Sequence, residues 1–192
     1  RALMALSSIQ LSSRALIKIG ATPISGFEDG TAESLVAATL YPSTRDAMLS
    51  AHPWSFATAQ RVLPRLVGVP AADYDYAYQL PSDFLRALSA GEAGYGRGLD
   101  YRIVERRLHT NAASVTLTYI FRPNESAFPP FFDQALIARL AAEFCLPITE
   151  STTRSEALQR LADDQFRQAR LIDAQQDVPP RFEDYTLVGV RG

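Results

Sequence analysis

The hydrophobic period changes twice along this chain, and that double switch limits the folds open to it. Apolar residues recur at helical spacing from Ser7 to about Ala59, at every second position from about Gln60 to Pro123, and at helical spacing again from Pro129. Two outer helical zones with broad apolar stripes must bury those stripes against each other. The middle zone must then form a separate small sheet between them. The expectation is an α+β chain: a helical domain from both ends (1–59 plus 124–177, about four helices), an inserted antiparallel β-sheet or sandwich (60–123), and an extended C-terminal tail (178–192).

Local signals place the elements. A first helix runs from near Ser8 to Ile19, with Ile9, Leu16 and Ile19 on one face and Gly20 ending it. Ala21–Gly26 reads as a loop, and Asp29-Gly30-Thr31 opens a second helix with Glu33 in its first turn. That helix carries Leu35, Ala38, Leu40, Met48 and Leu49, and Pro42 inside it predicts a kink or a brief break. Tyr74, Tyr76, Tyr78 and Leu80 alternate with polar or small residues, as do Val115, Leu117, Tyr119 and Phe121, which marks two strands. Weaker strands are expected at Leu85–Ala90 and Tyr101–His109, and an edge strand with Pro64 at Val62–Val69, for four or five strands in all.

In the last zone Phe132, Leu136, Leu140 and Phe144 repeat at helical spacing, widened by Ile137 and Ala141, and Pro147 is expected to stop that helix. Thr153-Arg154-Ser155-Glu156 has capping-box spacing for a final helix through about Gln176. Its expected buried side is Leu158, Leu161, Ala162, Phe166, Ala169 and Ile172. The tail after Pro179-Pro180 holds Phe182, Tyr185, Leu187 and Val188 with no core of its own, which predicts ordering on a partner.

Composition excludes several classes of function. The chain has 192 residues, 47% hydrophobic, with a net charge of −2, so it is long enough to fold without a metal or disulfide and lacks the basic excess of a phosphate-gripping protein. Cys145 is the single cysteine, which rules out an internal disulfide and a cysteine-based zinc site, and it reads as a small core residue. No apolar run reaches the ~20 residues of a membrane span, and Arg1–Leu6 is too weak for a signal peptide, so an intracellularly made soluble domain is expected. Lys18 is the one lysine among 19 basic residues; an arginine bias suits interfaces but also follows from a GC-rich genome.

Catalytic chemistry is hard to assemble from what remains. His52 and His109 stand far apart, no further zinc ligands lie at useful spacing, and His52 within His52-Pro53-Trp54-Ser55-Phe56 reads as a packed or capping residue. Gly91, Gly94, Gly96 and Gly98 lead into a strand rather than a helix, which suits a mobile hairpin loop and not a phosphate cradle. Its Tyr95 and Arg97 are candidate contact residues. The acidic pairs Glu28-Asp29, Asp163-Asp164 and Glu183-Asp184 read as solvated. Asp73 and Asp75, on one strand face, are the pair that a glycan hydrolase would use, though solvated loop acids are the better reading of them too. Arg102, Arg106 and Arg107 form a basic patch that Glu105 dilutes, leaving a DNA-binding regulator as a weaker reading. No catalytic, metal or cofactor residue is expected.

A family resemblance fits these residues. The run Arg14-Ala15-Leu16-Ile17-Lys18-Ile19-Gly20-Ala21-Thr22-Pro23-Ile24-Ser25 followed by Glu28-Asp29-Gly30-Thr31 resembles the opening of phage tail tubular protein A. So do Leu40-Tyr41-Pro42 with Arg45-Asp46 and the His52–Ala57 segment, while Tyr76–Arg86 resembles the family's central motif and Ala135–Glu143 is similar to its late helix. The resemblance extends from about Ser8 to Asp177, through packing and turn motifs rather than catalytic ones. It implies a structural virion protein in the neck of a tailed bacteriophage, a head-to-tail adaptor assembled in the host cytoplasm as a dodecameric ring. The portal protein would lie above it and a tail nozzle or other distal tail protein below. Genomic DNA would pass through the lumen without sequence recognition, and no membrane would be involved. On this reading Arg181, Phe182, Tyr185, Leu187 and Val188 bind the portal, and Tyr95 and Arg97 contact the distal tail. A long-tailed phage remains as open as a short-tailed one.

Overall fold

The computed structural model describes residues 6–176. Arg181, Phe182, Tyr185, Leu187 and Val188 therefore lie outside the described residues, as does Glu183-Asp184. Helices α1 (Ser8–Lys18) and α2 (Ala32–Ser50) precede six strands, and α3 (Pro130–Thr149) and α4 (Thr152–Ala174) follow them. The strands are β1 (Thr58–Val62), β2 (Tyr76–Gln79), β3 (Phe84–Gly91), β4 (Arg102–Val104), β5 (Arg107–Thr110) and β6 (Thr116–Phe121). They pair antiparallel in two three-stranded sheets, ordered β1-β6-β3 and β2-β5-β4. The fold class is α+β, as the periodicity implies.

Helix α3 is central: eleven of its twenty residues are buried, and α1, α2 and α4 all pack on it. Its near-continuous apolar surface is what a helix surrounded by neighbours requires. Reciprocal caps start the two helices before it, Ser7 with Gln10 and Thr31 with Ser34, each pair satisfying free backbone donors. Gly20 ends the first with φ +76°, a conformation open to glycine at little cost. Between α3 and α4, Ala138, Ala142 and Ala162 form a small-residue contact flanked by Leu158.

Strand β6 has two working faces. Leu117 and Tyr119 join Leu63, Tyr78, Leu80, Ala90, Leu108 and Val115 in the core between the two sheets. Ile120, on the opposite face, is fully buried in the helical core, where Leu85 and Leu88 also pack. The Arg45–Asp46 dipeptide of α2 reinforces this joint. Asp46 receives Arg122 Nε at 2.9 Å, just past β6, while Arg45 Nη1 and the Tyr41 hydroxyl both donate to Glu125, at 3.1 and 3.0 Å. Burial and the neighbouring Glu125 carboxylate push the Tyr41 pKa far above its usual value, so the hydroxyl remains a neutral donor.

Several expectations fail for identifiable reasons. Pro42 does not interrupt α2, and the Thr39 and Ser43 hydroxyls bond carbonyls of the turns around it. Pro147 lies inside α3 rather than ending it; its missing N–H costs one bond near the end, Ile148 packs on the core, and Glu150 in the left-handed region closes the helix. The cap of α4 is Ser151, whose Oγ accepts from Arg154, so the Thr153–Glu156 box is part of the helix instead. Val62–Val69 is not a strand: β1 lies earlier and only Arg65 bridges to Tyr78. Tyr101–His109 is not one strand but a hairpin, β4 to β5, turning at Glu105 and Arg106 with φ of +49° and +60°. Such turns favour Asn-Gly, so this one carries no sequence signal. Leu35, Leu161 and Ile172 are exposed at 68%, 45% and 45%, because each sits beside a narrow buried stripe and not on it.

One buried charge has a measurable consequence. Asp133 in α3 is 8% exposed, and its Oδ1 has no hydrogen-bond partner. Burial raises its pKa from 3.8 to about 6, opposed by the Arg14 charge on α1; the Tyr41 hydroxyl on α2 also faces it. The folded state thus binds more protons than the unfolded one between those two values, and stability falls as pH rises through that window. The full cost, about 2–3 kcal/mol, persists above it. Asp133→Asn should therefore melt higher than wild type at about pH 7.5 and nearly level with it at about pH 4. Parallel melting curves at all pH values would contradict this account.

Candidate functional site

The residues around Trp54 bring together the types a hydrolase would use, in an arrangement that does not permit that chemistry. Trp54 is fully buried and donates from Nε1 to the Met48 carbonyl at 3.0 Å. Phe132, Phe166 and His52 meet its ring edge-on, with centroids 5.1, 5.6 and 4.8 Å away. Beside it, Asp173 near the end of α4 is 4% exposed and accepts from the Ser55 N–H at 3.0 Å and the Ser55 hydroxyl at 2.6 Å. His52 Nε2 lies 3.6 Å from the other side of the same carboxylate.

A nucleophilic serine must give its proton to the histidine, with the acid behind the histidine. Here the carboxylate stands between the two and holds the hydroxyl itself. Burial lowers the His52 pKa, helped by the Arg170 charge and only partly opposed by Asp173, so the imidazole is neutral at pH 7. The trio is a latch: it pins the last turn of α4 to the turn that leads into β1. The reading of His52 as a packed residue is borne out. Asp173 was missed because its partner is distant in sequence, and the aspartate alone carries no signal for it.

The other candidates are placed as follows. Asp73 and Asp75 precede β2 instead of sharing a strand face; Asp73 has φ +70° and lies 3.9 Å from Arg102. Asp163 and Asp164 are paired with Arg139 and Arg167. Cys145 is buried, with its Sγ 3.3 Å from the Thr149 hydroxyl. Among the described residues no group of three or more histidine, cysteine or acidic side chains is placed to hold a metal, and no helix is long and apolar enough to cross a membrane.

Tyr95 and Arg97 are both exposed, Tyr95 at 72%. Their loop is stitched to the sheet. The Gly96 carbonyl accepts from Ser89 Oγ at 2.6 Å and from Thr118 Oγ1 at 3.2 Å, while Gln60 Nε2 donates to the same threonine. These three residues form a row across β1, β6 and β3, so the loop lies on the sheet face that continues from Ile120. Gly91 permits this: a Cβ there would overlap the Tyr95 carbonyl. Tyr95 and Arg97 are thus presented from a supported backbone, a better contact point than a free loop.

Two substitutions test this geometry. Asp173→Ala should cost about 3 kcal/mol in denaturant unfolding, because it leaves the Ser55 N–H without its charged acceptor. A loss within error of zero would mean that α4 is not latched there. Gly91→Ala should expose the 92–98 segment to rapid amide exchange with little change in the helices, and unaltered exchange would show that the fold-back is not required.

Neither a family model nor a curated protein matches this sequence.

Proposed function

We propose that this chain is a structural virion protein, a head-to-tail adaptor whose copies form a ring between the portal and the tail of a phage. The observation that carries the reading is the division of labour among its side chains. The polar groups of the resemblance motifs, Arg45-Asp46 and His52–Phe56, are engaged in internal joints between helices and sheet. Large apolar side chains stand exposed on all four helices instead: Ile17 at 59%, Leu35 at 68%, Leu146 at 47%, Leu161 at 45%, Leu171 at 67% and Ile172 at 45%. Single exposed aliphatics are ordinary on a monomer. Leu161 and Ile172, however, lie about three turns apart on one side of α4, with the uncharged Ala157 and Gln168 between and beside them. A ring subunit needs unlike surfaces on its two flanks, which such helix faces supply.

In this reading the helical part meets neighbouring copies and the portal, with Arg181, Phe182, Tyr185, Leu187 and Val188 as portal anchors. The supported loop bearing Tyr95 and Arg97 faces the distal tail. A net charge of −2 suits a conduit that must let DNA slide.

The test is molar mass by light scattering, alone and after mixing with the portal encoded beside this chain. The expected result is a stable complex, seen as an added tier by negative-stain microscopy and lost on deletion of residues 181–192. A chain that stays unbound beside a properly assembled portal would overturn the adaptor reading.

A further inference from the structure

A groove of about 370 Å³ opens at the end of α4, lined by His52, Arg167, Arg170, Leu171 and Ala174. Its chemistry is cationic at the rim and apolar within. Arg167 is paired with Asp164, but Arg170 has no carboxylate partner among the described residues and lies over the Phe166 ring. Arg86, exposed on β3 beside Ile120 in the register, also acts on His52 electrostatically and likewise has no acidic partner there. Of the two carboxylates close by, Asp164 is held by Arg167 and Asp173 is directed to Ser55. Leu171 is 67% exposed at the groove's edge. A surface of this kind fits an acidic segment that also carries aromatic side chains.

Such a segment lies in the chain itself. Residues 182–185 are Phe182-Glu183-Asp184-Tyr185, two carboxylates between two aromatic rings. The connection also starts in the right place. Ala174, the last residue of α4, lines the groove, and the Asp173 latch holds that turn against the body. Six residues, 177–182, span up to about 20 Å when extended, so Phe182 can return to a groove that begins where the helix stops. Tethering raises the effective concentration of the segment at that groove.

We propose that the groove between His52, Arg170 and Leu171 receives the Phe182–Tyr185 segment of the same chain, with Glu183 and Asp184 facing Arg170 and Arg86. The groove would cover the aromatic side chains of this strap in the free subunit. The inference rests on the adaptor reading only in naming the portal as what displaces it.

Chymotrypsin cleavage of the full chain after Phe182 and Tyr185, followed by intact mass, tests the strap without any portal. Arg86→Glu with Arg170→Glu should speed cleavage several-fold, and so should Glu183→Arg with Asp184→Arg. Combining all four reversals should restore slow cleavage, which a variant that simply misfolds would not do. Unchanged rates in both charge-reversed proteins, or no recovery in the combination, would overturn the strap. Protection that grows with protein concentration would also overturn it, since the segment would then sit on a second copy. None of these results alters the light-scattering outcome with the portal, so the two readings fail separately.

Discussion

Burial of the Trp54 indole is the constraint on which the rest of the structure depends. The ring lies where the end of α2, the middle of α4, the start of α3 and the entry to β1 converge, and its one polar atom is satisfied by the Met48 carbonyl. Burying an indole is costly unless that donor has a partner. Once it is placed, Phe56 and Phe132 pack against it at centroid distances of 6.0 and 5.1 Å, and together with Phe128 they meet one another edge to face at 4.9 to 6.0 Å. The same turn presents the Ser55 N–H to Asp173, so the aromatic cluster and the α4 latch are one arrangement seen from two sides.

That arrangement makes the helices and the sheets mechanically continuous. The side chains of β6 divide between two cores, with Ile120 among the helices and Leu117 and Tyr119 between the sheets. The Arg45, Asp46, Arg122 and Glu125 ion pairs lie over the same junction, partly screened from water. Half-exposed pairs of this kind contribute modestly to stability, but bidentate arginine geometry restricts orientation strongly.

The polar groups that might suggest catalysis are instead internal ties, and this was only half legible beforehand. His52-Pro53-Trp54-Ser55-Phe56 stands out in the sequence as a packing motif, and it is the hub. Asp173 belongs to the same hub yet lies at the far end of a helix, one position beyond Ile172, which periodicity alone puts on the buried side. A carboxylate at such a position reads as solvated until its partner is known. The same holds for Asp133, whose burial follows from the close approach of α1 and α2 to α3 and not from any local pattern.

What the sequence determined by itself was the order and kind of its elements: helices, strands, helices, with α3 as a largely apolar rod and β6 as an alternating strand. These follow from periods of 3.6 and 2, which are local properties of the backbone. It did not determine where proline stops a helix, because α2 continues through Pro42 and α3 through Pro147. Nor did it reveal the Glu105-Arg106 turn, since the strands on either side impose a conformation that those residues do not prefer. Only the tertiary structure decided which face of α4 is buried. The helix buries only a narrow row, Ala162, Ala169 and Asp173, so the side chains one position before two of them, Leu161 and Ile172, are turned outward. The cause is geometric: one residue along a helix is a rotation of about 100°, enough to move an aliphatic side chain from core to surface.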